Sequence, residues 1–200
     1  MNEVIFDCET KKFFDAIEEF DPSKLGVSIV SLYVREVDDN LNEIKGEMLS
    51  FWEKDLEKTW EIFQKADRII GFNSIGFDVP AMSPYIPQEF SKLNHFDILA
   101  HVRESHGKRV SLDSLAKATL GTGKIDSGAN AIVYYEKGDE ESLAKLKKYC
   151  EMDVAITRDI YDFGLKNGHL KFIDFWNETR EVKVDFSYPV EVPELQTSLF

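Results

Sequence analysis

Five side chains along this sequence have the types and spacing to act on one reaction centre: Asp7, Glu9, Asp78, Tyr149 and Asp153. The first pair lies in Val4-Ile5-Phe6-Asp7-Cys8-Glu9-Thr10, which is rich in β-branched and aromatic residues and free of Gly and Pro, a strand composition. Side chains alternate across a strand, so Asp7 and Glu9 share a face. Two adjacent carboxylates on a buried strand repel each other and persist where a cation lies between them. A divalent metal bound by oxygens meets that need. An edge strand facing water would carry the same pair without a metal, so this stretch alone leaves both readings open.

Asp153 breaks an apolar pattern. Leu146, Tyr149, Cys150, Asp153, Ile156, Thr157 and Ile160 recur at helical steps, which puts the carboxylate inside the buried stripe. A charge there needs a partner, unless the stripe is rotated and Asp153 lies at its rim. Tyr149 stands one turn earlier, so its hydroxyl reaches the same place. Asp78 ends the polar loop Asn73-Ser74-Ile75-Gly76-Phe77-Asp78, which follows a short buried strand over residues 68–72. At the head of a helix its charge is favoured by the dipole, and taken alone it reads as a cap. Asp97 reads as a structural turn or cap residue.

The elements that must position these groups are legible in outline. Strands are expected over 25–34 and 44–52, joined at Asp38-Asp39-Asn40, which with the first strand make an antiparallel meander. An amphipathic helix is expected over 55–66, and another short strand over 95–99. Ser111 caps a helix over 112–120, and Gly121 ends it. Residues 122–131 read as a Gly-rich loop. Residues 139–163 read as a long helix or helix pair closed by Gly164. Late strands are expected over 169–175 and 181–186, and from Ser187 onward Pro189 and Pro193 suggest an extended tail. The fold class is therefore α/β: a mixed sheet of antiparallel meander plus parallel strands with helices on both faces, over residues 1–186, followed by a tail over 187–200.

The 200 residues suffice for one well-buried domain, and 43% apolar content is ordinary for a globule. No apolar run approaches a membrane span, and no secretory leader is visible. Cys8 and Cys150 make neither a disulfide framework nor a zinc pattern. A cytoplasmic monomer that makes no membrane contact is expected. The formal charge of −13 argues against a module that binds nucleic acid through a general basic field. It argues less against a nuclease whose carboxylates are neutralised by metal.

Taken together, the ordered set resembles the DEDD superfamily of 3′→5′ exonucleases, which have an RNase H-like fold. Phe6-Asp7-Cys8-Glu9-Thr10 resembles the first exonuclease motif. Residues 71–80 (GFNSIGFDVP) resemble the second as found in the proofreading domains of family B DNA polymerases. Residues 149–157 (YCEMDVAIT) resemble the third motif of the tyrosine-bearing subgroup, Tyr-x-x-x-Asp. The resemblance covers residues 1 to about 165 and is greatest to stand-alone exonucleases of the YprB-like group. It implies two divalent ions, Mg²⁺ or Mn²⁺, held by Asp7, Glu9, Asp78 and Asp153, with Asp7 bridging them. It implies that Tyr149 orients the attacking water and that Thr10, Asn73, Phe77 and Lys124 contact the substrate strand. Lys108, Arg109 and Lys117 are further candidates for phosphate contacts. A DNA exonuclease acting on single-stranded 3′ ends, an exoribonuclease on short RNA and a non-catalytic interaction module all remain open at this stage.

The sequence ends Gln196-Thr197-Ser198-Leu199-Phe200, similar to the pentapeptide by which bacterial replication proteins dock on the sliding clamp. Gln196, Leu199 and Phe200 would be the contacting residues. The alternative is an ordinary terminus folded back on the domain.

Overall fold

Strand β1 (Asn2–Thr10) lies in the middle of a five-stranded sheet. It pairs antiparallel with β2 (Val27–Val37), which pairs antiparallel with β3 (Glu43–Trp52). On its other side it pairs parallel with β4 (Arg68–Gly71), which carries β5 (His95–Asp97), also parallel. The order β3-β2-β1-β4-β5 is the mixed sheet expected from the sequence. The computed structural model describes residues 1–123 and 128–188. Lys124 and the tail residues Gln196, Leu199 and Phe200 lie outside the described residues. No described helix is long and apolar enough to cross a membrane.

Alternation along β1 divides two cores. Val4, Phe6 and Cys8 pack with Phe63 of helix α1 (Thr59–Phe63) and with Val79, Ala81 and Met82 of α2 (Asp78–Met82). Ile5 faces the opposite side, where α3 (Ile98–His106), α4 (Leu112–Leu120) and the long α6 (Glu140–Asn167) close the second core. Glu3, Asp7 and Glu9 share the parity of Ile5, so the carboxylates of β1 all lie on the α6 side. Glu3 is fully buried; it accepts from Arg35 Nε at 2.8 Å and from the Tyr161 hydroxyl at 2.9 Å. Arg35 also reaches Asp162 of α6 at 2.6 Å, so one guanidinium is shared by two carboxylates and ties the sheet to the helix.

Several boundaries differ from the sequence reading. Residues 55–66 do not form one helix: a 3-10 segment (Glu53–Lys58) leads into the short α1. At the junction the Thr59 hydroxyl bonds back to the Leu56 carbonyl at 2.7 Å, a local bond that competes with helix propagation. The strand expected to run to 99 stops at Asp97, because that side chain caps α3 by accepting from Ala100 N–H at 3.1 Å. The Gly-rich stretch read as loop to 131 gives way at 128 to α5 (Gly128–Lys137), whose Ala131 and Ile132 are buried.

Helix α6 does not end at Gly164. It continues to Asn167 and is closed by Gly168, which takes a left-handed φ of 69°. Gly164 has a packing role instead: a Cβ there would fall 2.0 Å from the Phe186 ring. The late strands are β6 (His169–Ile173) and β7 (Thr179–Lys183), an antiparallel hairpin. Beyond it, buried Arg68 donates to the carbonyls of Phe186 at 2.8 Å and Ser187 at 2.6 Å, and stacks over the Tyr188 ring at 3.5 Å. Ser187 and Tyr188, read from the sequence as the start of the tail, are thus packed on the domain.

Candidate active site

The C-terminal half of β1 and the middle of α6 bring three carboxylates together. Asp7, Glu9 and Asp153 each offer an oxygen, and these oxygens lie within 4.8 Å of one another. Asp7 and Glu9 are half-buried, and Asp153 is buried. The register of α6 against β1 follows from the buried stripe Leu146, Cys150, Val154 and Ile160, with Cys150 Sγ resting 3.5 Å from the Asp7 carbonyl. Asp153 is therefore inside the stripe and not at its rim. A cluster made only of carboxylate oxygens suits a hard divalent cation such as Mg²⁺ or Mn²⁺.

Tyr149 is buried one turn before Asp153 and hydrogen-bonds with it. Burial first, and then the negative charges of Asp153, Glu9 and Asp7, push its phenol well above the usual tyrosine range. The hydroxyl therefore stays protonated across physiological pH. The thiols of Cys8 and Cys150 are likewise driven up by burial, which removes thiolate chemistry from the site.

Asp78 behaves differently from the other three acids. It heads α2, is buried, and accepts the Cys8 N–H at 2.9 Å. Burial pushes its carboxyl up to about 7, against the lowering effect of its bonds from Cys8, and Asp97 adds repulsion. It is not one of the three clustered acids, but it lines the same cleft.

That cleft, of about 820 Å³, is also lined by Thr10, Asn73 and Phe77, the residues suggested as strand contacts, and by Arg109 among the suggested phosphate contacts. Lys117 is committed to Asp113 at 2.6 Å, and Lys108 lines a neighbouring groove. The Asn73 loop owes its shape to Asp97, whose two oxygens accept from Asn73 N–H at 2.9 Å and Ile75 N–H at 3.0 Å. Asp97 is thus the structural residue the sequence suggested.

Sequence reasoning passed over Phe13, Phe14 and Lys12, which form another wall of the cleft. Phe14 stacks on Phe20 at 4.2 Å and meets Phe77 edge-on at 5.9 Å. The available signal was three phenylalanines within eight residues, directly after the first carboxylate pair.

Comparison with known proteins places the fold. Residues 4–163 match the family model described as the RNase_H superfamily, and the chain belongs to that superfamily. Among solved structures it is similar to the family B DNA polymerase from the hyperthermophilic archaeon Pyrobaculum calidifontis. The TM-score is 0.61 at 17% identity, over 82% of this chain and 24% of the polymerase. A zinc-bound form of the E. coli ExoI–ssDNA complex aligns at a TM-score of 0.45 and 13% identity, over 83% of this chain and 41% of that one. The chain thus spans about a quarter of the polymerase's length. No curated protein sequence matches it. The superfamily match does not reach down to the YprB-like group.

Proposed function

We propose that the protein is a metal-dependent 3′→5′ exonuclease of the tyrosine-bearing DEDD type that hydrolyses the terminal phosphodiester of single-stranded DNA. The observation that carries this reading is the convergence of Asp7, Glu9 and Asp153 within 4.8 Å, next to a buried, protonated Tyr149. Asp7, Glu9, Asp153 and, as the fourth carboxylate, Asp78 would hold two divalent ions. When bound, such ions lower the pKa of water and stabilise charge on a leaving oxygen. The Tyr149 hydroxyl, kept protonated and tied to Asp153, is suited to orient a water. Phe14 and Phe77 offer ring faces for a terminal base, while Thr10, Asn73 and Arg109 offer polar contacts to sugar and phosphate. Lys124 is a further phosphate contact in this reading. One solved structure of similar fold is a DNA polymerase, and DNA is the strand of this reading. A cytoplasmic monomer suits this reading.

End-labelled strands test this directly. A 3′ label should be lost before a 5′ label, one nucleotide at a time, with Mg²⁺ or Mn²⁺ and not with excess EDTA. Internal cuts, loss of the 5′ label first, or unchanged activity in EDTA would overturn it. Preferential degradation of an RNA strand would move the substrate to RNA.

The terminal Gln196, Leu199 and Phe200 carry a separate proposal, docking on a sliding clamp. Such docking would supply by effective concentration the strand affinity that an acidic domain lacks. Binding of a peptide of the last ten residues to a clamp checks it, and absence of binding at high micromolar concentration would remove it.

A further inference from the structure

The β6–β7 hairpin lies outside the carboxylate cluster, yet its tip presents Phe175 95% exposed and Trp176 71% exposed. Their rings stand nearly perpendicular with centroids 6.0 Å apart. The mount is rigid. Asp174 accepts from the N–H groups of Trp176 at 2.9 Å and Glu178 at 3.0 Å, and Asn177 takes the left-handed conformation that the turn requires. The hairpin is in turn fixed to α4. The Ser114 hydroxyl both donates to the Ile173 carbonyl and accepts from its N–H, and Thr119 does the same with Lys171. Side-chain hydroxyls of a helix thereby close the edge of β6, which an unpaired strand would leave open. Two large rings held in water on a fixed turn forgo the burial that usually stabilises them.

A groove of about 740 Å³ is lined by this tip together with Lys108, Arg109, Phe172 and Arg180. It shares Arg109, Val110 and Ser111 with the carboxylate cleft, so the two are contiguous. Arg180 is bound to Asp174 at 2.8 Å and supports the turn. Arg109 is exposed and lines both openings, and Lys108, also exposed, lines the groove beside it.

We infer that this groove and the Phe175–Trp176 tip form a second binding surface for the single-stranded DNA whose end enters the carboxylate cleft. The identity of the strand rests on the exonuclease reading. Ring faces accept any base, so stacking holds a strand without reading its sequence. Stacking also gives affinity with few phosphate contacts, which suits a chain of net charge −13. Lys108 and Arg109 place positive charge along the path between tip and cleft. A purely apolar protein partner would make no use of them.

The test measures the affinity of labelled DNA strands of increasing length for the full chain, by anisotropy in EDTA so that strands remain intact. For the wild type, affinity should rise with length once a strand spans both openings. Phe175→Ala/Trp176→Ala should abolish that rise and weaken binding of long strands by about fivefold or more. Phe175→Tyr/Trp176→Phe should restore it. Thermal unfolding of both variants confirms the fold, since neither position is buried. Equal length dependence in the wild type and the alanine variant would overturn the inference, as would length dependence seen with RNA alone. Loss of cleavage with length-dependent binding intact would sink the exonuclease reading and leave this surface standing. Normal cleavage with binding indifferent to the tip would do the reverse.

Discussion

Glu3 and Asp7 lie four residues apart on one face of β1, and the fold treats them oppositely. Glu3 is sealed in the core against Arg35 and Tyr161, while Asp7 opens with Glu9 and Asp153 onto a cleft. The period of two in the first strand and of 3.6 in the late helix put Asp7, Glu9, Asp153 and Tyr149 within reach of inference from sequence. The bond from Cys8 N–H to Asp78 was not legible, because it joins residues 70 apart and depends on how α2 meets β1. The Phe14–Phe77 contact was hidden for the same reason. Tyr149→Phe removes one oxygen from this group and keeps the ring in its packing. If the hydroxyl orients water, turnover should fall by about tenfold or more, while the thermal shift on adding Mn²⁺ stays close to wild type. Unchanged single-turnover rates would reduce Tyr149 to a core residue.

At the scale of elements, the strands and the order of the sheet were legible, since buried β-branched runs and turn residues are local signals. Helix ends were less so, because a glycine marks a terminus only where the backbone turns left-handed. Gly168 does so; Gly164 lies within α6 and admits the Phe186 ring. In an exposed helix, Gly→Ala gains up to about 1 kcal/mol. Gly164→Ala should instead lose about 1–3 kcal/mol, because Phe186 must leave its seat, and its carbonyl bond to Arg68 is strained with it. Denaturant unfolding measures the sign. A stabilised variant would show that the 184–188 segment is not held by this contact.

His95 of β5 offers a pH test of the same sheet. Its Nε2 bonds the Phe90 carbonyl at 2.7 Å, and its ring packs on Phe6 and Phe90. Burial lowers its pKa, against the opposing pull of the Phe90 carbonyl and Asp97. The unfolded chain therefore takes up this proton first. The stability involved is complete above the unfolded pKa of about 6.5 and is lost as pH falls through the lower folded value. Stability curves of the wild type should fall more steeply than those of His95→Gln as pH drops below about 6.5. Parallel curves would assign the acid loss to other groups.

Across the whole molecule, the sheet separates two cores and leaves the clustered acids where β1 and α6 meet at a cleft. Surplus negative charge makes general attraction for nucleic acid weak. On the proposed reading, affinity would come from bound cations, from ring faces lining the path, or from tethering through the tail. The superfamily fold was legible because three short motifs recur in order. The hairpin surface was not, since exposure of Phe175 and Trp176 is decided by where β6 docks on α4.

On the proposed reading, Asp7, Glu9 and Asp153 hold the metal on which cleavage depends. The most direct measurement compares the wild type with Asp7→Ala and Asp153→Ala, reading thermal unfolding in EDTA and in Mn²⁺ alongside cleavage of a 3′-labelled strand. In EDTA the variants should melt with or above the wild type, because removing an acid relieves repulsion. Mn²⁺ at a hundredfold excess over Kd should stabilise the wild type by about 2.7 kcal/mol. It should leave the variants nearly unmoved, and both should be inactive. An Asp7→Ala protein that cleaves as fast as the wild type, or a wild type as active in excess EDTA as in Mn²⁺, would contradict the account.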